Sequence, residues 1–83
     1  MQIRLKLFAS LAKHLPDGAV KNESACELPD GATVADAIHQ CGVPGEHCHL
    51  VLVDGHYIAP SDRGETVLKE GQALAIWPPV AGG

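Results

Sequence analysis

With 83 residues, the chain has room for one domain built from a single sheet and one or two helices. A formal net charge of −4 and the lack of a basic stripe argue against nucleic acid as a partner. No window is apolar over the length of a membrane span, so we expect no membrane association and a cytoplasmic protein.

The amino-terminal third predicts a strand, a short helix and a second strand. Ile3, Leu5 and Leu7 alternate with polar residues, which is typical of a strand with one buried face. A helix that ends at Pro16-Asp17-Gly18 is predicted next, because apolar residues recur at helical spacing at Phe8, Leu11, Ala12 and Leu15. A weaker strand is predicted over residues 23–28, closed by a Pro-Asp-Gly turn.

The main helix is predicted to begin after Thr33. This residue can cap the helix, and Asp36 stands three positions later, as a capping box requires. One face of the helix is apolar and consists of Val34, Ala37, Ile38 and Cys41. Gly42 supplies the helix stop.

Three strands are predicted in the carboxy-terminal half. The apolar run at 50–53 predicts a strand covered on both faces, and Asp54-Gly55 then turns the chain into a hairpin through 56–58. The last strand is predicted over 73–77. Together these elements predict an α+β fold, with a mixed sheet packed on one main helix and a second short helix. Pairing of the first and last strands in mid-sheet would fix the final strand.

The most informative feature of the chain is the segment that follows Trp77. Pro78 and Pro79 remove two backbone donors and favour an extended path. Gly82 and Gly83 have no Cβ, so they can enter a channel too narrow for other residues. We therefore predict a folded domain over 1–77 and, over 78–83, an extended tail about 20 Å long that presents the Gly83 carboxylate.

The remaining Cys, His and acidic side chains have patterns that ordinary structural roles explain. His47, Cys48 and His49, with Cys41 upstream, lack the paired spacing of a zinc site, so we expect no metal. Cys48 lies near two histidines, but its place in a polar loop explains it equally well. The acidic residues are scattered, which does not favour acid-base catalysis. Trp77 is either a core aromatic or part of a partner interface.

Taken together, these segments resemble the MoaD/ThiS sulfur-carrier family, and within it the MoaD branch, which forms the small subunit of molybdopterin synthase. The specific match is the last segment, residues 68–83, which ends in Trp-Pro-Pro-Val-Ala-Gly-Gly. Residues 5–11, 33–38 and 53–58 add weaker support. The resemblance implies a β-grasp fold like that of ubiquitin.

The resemblance also implies a carrier without catalytic side chains or a bound cofactor, acting as the sulfur-donating subunit of a sulfurtransferase. A MoeB-like enzyme would use ATP to adenylate the Gly83 carboxylate, and a cysteine desulfurase or rhodanese-type donor would convert it into a thiocarboxylate. Trp77 would lie at the docking interface with a partner. A MoaE-like large subunit would receive the tail and pass the sulfur to a cyclic pterin precursor in molybdenum cofactor biosynthesis. Its channel would hold Pro78, Pro79, Val80, Ala81 and Gly82.

Three alternatives keep the same fold. The first is a ThiS-like carrier for thiamine or another metabolite. The second is a ubiquitin-like modifier, in which Gly83 forms an isopeptide bond with lysines of target proteins. The third is a binding domain whose tail is inert. The Pro78-Pro79-Val80 sequence favours the molybdopterin branch.

Overall fold

The computed structural model describes residues 1–16 and 18–79. Asp17 of the predicted turn and the tail residues Val80, Ala81, Gly82 and Gly83 lie outside the described residues. The strands are β1 (Gln2–Leu7), β2 (Glu23–Glu27), β3 (Leu50–Val53), β4 (His56–Tyr57) and β5 (Ala73–Trp77), and the α-helix is α1 (Val34–Gln40). Short 3-10 helices span Ala9–His14, Gly45–His47 and Pro60–Asp62. No helix in the described part is long and apolar enough to cross a membrane.

The strands form one mixed sheet in the order β2-β1-β5-β3-β4. β1 and β5 run parallel, while β2 is antiparallel to β1 and β3 is antiparallel to both β5 and β4. The first and last strands are therefore paired in the middle of the sheet, which is the arrangement that fixes the final strand. The division between domain and tail at residue 77 stays a prediction.

One face of the sheet forms the core together with α1. This inner face carries the alternating side chains of β1, β3 and β5, namely Ile3, Leu5, Leu7, Val51, Val53, Leu74 and Ile76. The buried side of α1 packs in the same cluster through Val34, Ala37 and Ile38. Burial of such side chains stabilises a small domain by about 1.5–3 kcal/mol each before the entropy cost of folding.

Two predictions about burial and helix type are corrected. β3 was expected to be covered on both faces, which is wrong: Val51 and Val53 are buried, but Leu50 and Leu52 are only half-buried. The reason is that α1 covers only the inner face of the sheet. The helix predicted after β1 exists, but it is a 3-10 helix that buries Leu11 alone.

The predicted capping box at the start of α1 is confirmed. The Thr33 hydroxyl accepts a hydrogen bond from the Asp36 amide at 3.2 Å, and the Asp36 carboxylate accepts one from the Thr33 amide at 2.9 Å. Hydrogen bonds from the backbone and the side chain of Thr33 hold the pKa of Asp36 below its ordinary value of 3.8. At the other end, Gly42 has a φ of 77°, which ends the helix as predicted.

The capping box yields a pH-dependent prediction. We expect Thr33→Ala to lower the free energy of unfolding by about 1 kcal/mol at neutral pH. Because the pKa of Asp36 is lower in the folded state, its contribution is complete above pH ~4 and is lost as the pH falls through the lowered value. The difference in unfolding free energy between wild type and Asp36→Ala, measured with urea, should therefore be larger at pH ~7 than at pH ~2.5.

Glu65→Ala is the control, because Glu65 is exposed and lies outside the capping box. A difference between wild type and Asp36→Ala that stays constant between the two pH values would contradict the role given to the ionised carboxylate.

Candidate functional site

The candidate site is the root of the predicted tail, at the end of β5. The Ile76 carbonyl accepts a hydrogen bond from the Phe8 amide at 3.2 Å, and the Trp77 carbonyl accepts one from the His49 amide at 2.9 Å. The strand is thus held from both sides up to its last residue. Pro78 is buried and Pro79 is exposed, so the chain reaches the surface within two residues of the strand.

Trp77 lies on the outer face of the sheet, which α1 does not cover. It alternates with the fully buried Ile76, and its partner in the sheet is Leu50. The indole ring stacks on Phe8, with ring centroids 4.3 Å apart and an angle of 3° between the planes. Such a stack stabilises by about 0.5–1.5 kcal/mol beyond the burial of its area. Trp77 is therefore a half-buried surface aromatic and does not belong to the inner core.

Several apolar side chains share this open face with Trp77. We call them the outer apolar face, and they are Phe8, Leu50, Leu52, Tyr57, Ala75 and Trp77. Tyr57 is 59 % exposed. The other members are half-buried, except Ala75, which is buried. Contiguous apolar surface bordered by polar residues is typical of interaction sites when it is large. Here that border includes the ion pair between Lys6 and Glu23, whose charged atoms are 3.6 Å apart.

The sequence interpretation named only Trp77 of this surface. Side chains alternate between the two faces of β1, and this alternation continues to Phe8. Its ring therefore lies on the other face of the sheet from Leu7, beside Trp77, which the sequence could have indicated. The apolar run at 50–53 predicts a strand with two covered faces, and this prediction hides the partial exposure of Leu50 and Leu52.

The His and Cys side chains that were considered as metal ligands do not come together. In residues 1–16 and 18–79, no group of three or more His, Cys, Asp or Glu side chains has an arrangement that would hold a metal ion. His47 and His49 are exposed. Cys48 lies in a polar loop, as the sequence indicates, but its side chain is buried in the core cluster, and its thiol donates a weak hydrogen bond to the Pro44 carbonyl at 3.6 Å.

The three cysteines have the properties of unreactive thiols. Burial raises the pKa of Cys26, Cys41 and Cys48 above the ordinary value of 9.0. At Cys48 the nearby Arg63 guanidinium opposes this effect without overcoming it. Little thiolate is therefore present at neutral pH, so none of the three has the activated form of a catalytic nucleophile.

The chain is similar to several known proteins. The model of the ThiS family matches residues 5–83. The small archaeal modifier protein SAMP1 of Haloferax volcanii shares 28% identity over 100% of both chains, with a TM-score of 0.69. A second Haloferax volcanii protein, HVO 2177, shares 27% identity, with a TM-score of 0.76, over 100% of this chain and 87% of the other.

A Pyrococcus furiosus protein, whose description suggests subunit 1 of a molybdopterin converting factor, is 25% identical with a TM-score of 0.65. The match covers 95% of this chain and 98% of that one. No curated protein matches the sequence. These likenesses confirm the predicted ubiquitin-like β-grasp fold.

The raised pKa values predict slow alkylation of the native thiols. Treated with iodoacetamide at pH ~7.5, Cys48 should react at least about tenfold more slowly in the folded protein than in urea, because it is both buried and protonated. Peptide mapping by mass spectrometry would measure the rate at each cysteine. The urea-unfolded chain is the matched reference, and faster reaction of folded Cys48 would instead identify an activated thiolate.

Proposed function

The chain belongs to the ThiS family, and from this membership we propose that it is a sulfur carrier whose Gly83 carboxylate is activated by a partner enzyme. The observation that carries the proposal is the root of the tail. β5 is held between two strands up to Trp77, and the chain then continues through Pro78 and Pro79. A fixed strand followed by a slim end is what a partner needs in order to receive a carboxylate at a defined place.

The proposed chemistry needs no catalytic side chain from this protein. A Gly83 carboxylate oxygen attacks the α-phosphorus of ATP in the partner, forming an acyl adenylate and releasing pyrophosphate. Hydrosulfide then attacks the acyl carbon, so that a C–S bond forms, the C–O bond to AMP breaks and a proton is released. The products are AMP and a thiocarboxylate. Because the glycines at 82 and 83 have no side chains, they leave the Gly83 carbonyl accessible both to the adenylating enzyme and to the sulfur nucleophile.

Within this class we propose the molybdopterin branch, with transfer of the sulfur to a cyclic pterin precursor in a MoaE-like large subunit. The Pro-Pro-Val-Ala-Gly-Gly ending supports this assignment. The likeness to the Pyrococcus furiosus protein, described in terms of a molybdopterin converting factor, supports it further. The chain would then be the sulfur-donating subunit of a synthase.

A ubiquitin-like modifier is the second candidate. The observation in its favour is the likeness to SAMP1, a protein named as a modifier, over the full length of both chains. The activated carboxylate would be the same, but a lysine amine of a target protein would attack it in place of sulfur. A ThiS-like carrier for another metabolite differs only in the final acceptor.

The outer apolar face is proposed as the docking surface for the MoeB-like adenylating enzyme. Because the tail leaves the sheet beside Trp77, an enzyme that binds the tail along its length from Gly83 reaches the sheet at this residue and Phe8. The face is continuous from Trp77 through Leu50 and Leu52 to Tyr57, across three neighbouring strands. Aromatic residues in such a position are typical anchors of protein interfaces.

Loading of the carrier is the test of the proposed function. We expect incubation with ATP, a MoeB-like enzyme and sulfide to shift the intact mass by the exchange of one oxygen for sulfur. A variant that lacks Gly83, and one that carries an extra alanine after it, should show no shift. Gly82→Ala should fold normally but load more slowly, because its methyl group adds bulk in the channel.

The same experiment separates the two candidate functions. Thiocarboxylate formation followed by sulfur transfer to a pterin acceptor supports the carrier. Covalent adducts on lysines in a cell extract, lost when Gly83 is deleted, support the modifier. Normal loading of the chain with the extra alanine would contradict both, since each requires the carboxylate of Gly83.

A matched pair of exposed apolar residues tests the docking surface. Tyr57→Asp should raise the KM for loading by about tenfold, because a charge in an apolar interface must be desolvated. Val67→Asp is the control: Val67 is 51 % exposed, but it pairs with Thr33 at the start of α1, on the opposite side of the sheet. Equal KM values for the two variants would place the docking surface elsewhere.

A further inference from the structure

The peptide group between Cys48 and His49 is hydrogen-bonded at both ends. Its carbonyl accepts from the Arg63 guanidinium, with 3.0 Å between Nη2 and the oxygen. Its amide donates to the Trp77 carbonyl at 2.9 Å. Because the C=O and N–H of a trans peptide point in opposite directions, Arg63 and Trp77 lie on opposite sides of this group. A continuous chain of hydrogen bonds therefore links a guanidinium to the last carbonyl before the tail.

Trp77 is the last residue of β5, and its carbonyl is held by the His49 amide, directly before β3. Pro78 has no N–H, so it cannot donate to a neighbouring strand. The carbonyl of Trp77 also shares a peptide plane with the nitrogen of Pro78. Fixing the orientation of this carbonyl thus fixes the direction in which the chain leaves the sheet.

Arg63 is itself anchored to the main helix. Its backbone carbonyl accepts a hydrogen bond from the Ala35 amide in α1 at 2.9 Å. Its side chain is half-buried in a cleft that it shares with Ile38 and Val43. Among the described residues, no carboxylate forms an ion pair with the guanidinium, and its buried Nε has no hydrogen-bond acceptor.

Within the described residues, the Arg63 guanidinium therefore donates its hydrogen bond to the Cys48 carbonyl. A hydrogen bond from a charged donor is about twice as strong as a neutral one. It also polarises the peptide group, which strengthens the next hydrogen bond in the chain. The charge on Arg63 therefore reinforces the bond from His49 to Trp77.

We propose that Arg63 is a positioning residue, which acts through the Cys48–His49 peptide to orient the root of the tail. The effect of Arg63 on loading rests on the proposed function. The hydrogen-bond relay, from Arg63 through the Cys48–His49 peptide to Trp77, does not. Removal of the guanidinium should leave docking unchanged and slow the step in which the carboxylate is placed for reaction.

Amide hydrogen exchange tests the relay without any partner. In Arg63→Met, the His49 amide should exchange about tenfold faster than in wild type, since the charged bond that supports it is lost. The Asp54 amide is the internal control, because it donates to the Ala73 carbonyl at 2.9 Å at the other end of the same strand pair. It should keep its rate. Arg63→Lys, which retains a charged donor, should recover most of the protection of His49.

Two exchange results would overturn the relay. One is an unchanged His49 rate in Arg63→Met. The other is equal acceleration at His49 and Asp54, which would show that the whole strand pair is loosened and that the effect is not specific to the tail root.

Loading kinetics test the positioning role. Arg63→Met should lower kcat about tenfold with little change in KM, because misplacement of a reacting group by a small distance slows chemistry more than binding. Lys13→Met is the control for loss of a positive charge, since Lys13 is exposed and takes no part in the hydrogen bonds that link Arg63 to Trp77. Arg63→Lys should restore part of kcat.

The outcomes separate the two proposals. If wild type is not loaded, the proposed function fails, and hydrogen exchange still decides the relay. If wild type is loaded and Arg63→Met has the wild-type kcat, the positioning role is overturned while the proposed function stands.

Discussion

Parallel pairing of β1 with β5 is the constraint on which the rest of the molecule depends. Parallel neighbours cannot be joined by a tight turn, so the chain between Leu7 and Ala73 must return to the end of the sheet at which β1 begins before β5 can start. Parallel pairing also places the ends of both strands on the same side. Since Leu7 is in register with Ile76, the next residues, Phe8 and Trp77, meet and stack. The aromatic pair at the root of the tail is therefore a direct result of the topology.

The register of β5 gives its two faces different tasks. Leu74 and Ile76 point into the core, while Ala75 and Trp77 lie on the outer face. A slip of one residue would exchange these faces and move the exit point by about 3.3 Å. The fully buried leucine and isoleucine oppose that slip, because it would expose them to water. The packing of the core thus fixes the point at which the chain leaves the sheet after β5.

The elements that depend on local signals were predictable from the sequence. Alternation marked β1, the Thr33–Asp36 box marked α1, and Asp54-Gly55 marked the hairpin, where both residues have the positive φ of the turn that suits twisted strands. The position of the tail root could also be predicted, because the prolines follow the last strand in sequence.

The other features depend on contacts between distant residues. A continuous apolar run does not reveal which of its faces a helix covers, so the exposure of Leu50 and Leu52 was missed. Cys48 has polar neighbours in sequence, and its burial is visible only when the loop packs against the core. The contact of Arg63 with the Cys48 carbonyl spans 15 residues and has no sequence signature. The family resemblance supplied the chemistry, which the folding pattern alone does not contain.

The carrier and the modifier need the same features of this chain. Each requires a fixed central strand, an open apolar face beside it and a slim end whose carboxylate a partner activates. They differ in the nucleophile that attacks the activated carbonyl, which is sulfur in one case and an amine in the other. Neither nucleophile is supplied by this chain in the proposed chemistry. The choice between the two outcomes therefore lies with the nucleophile that reaches the activated carboxylate.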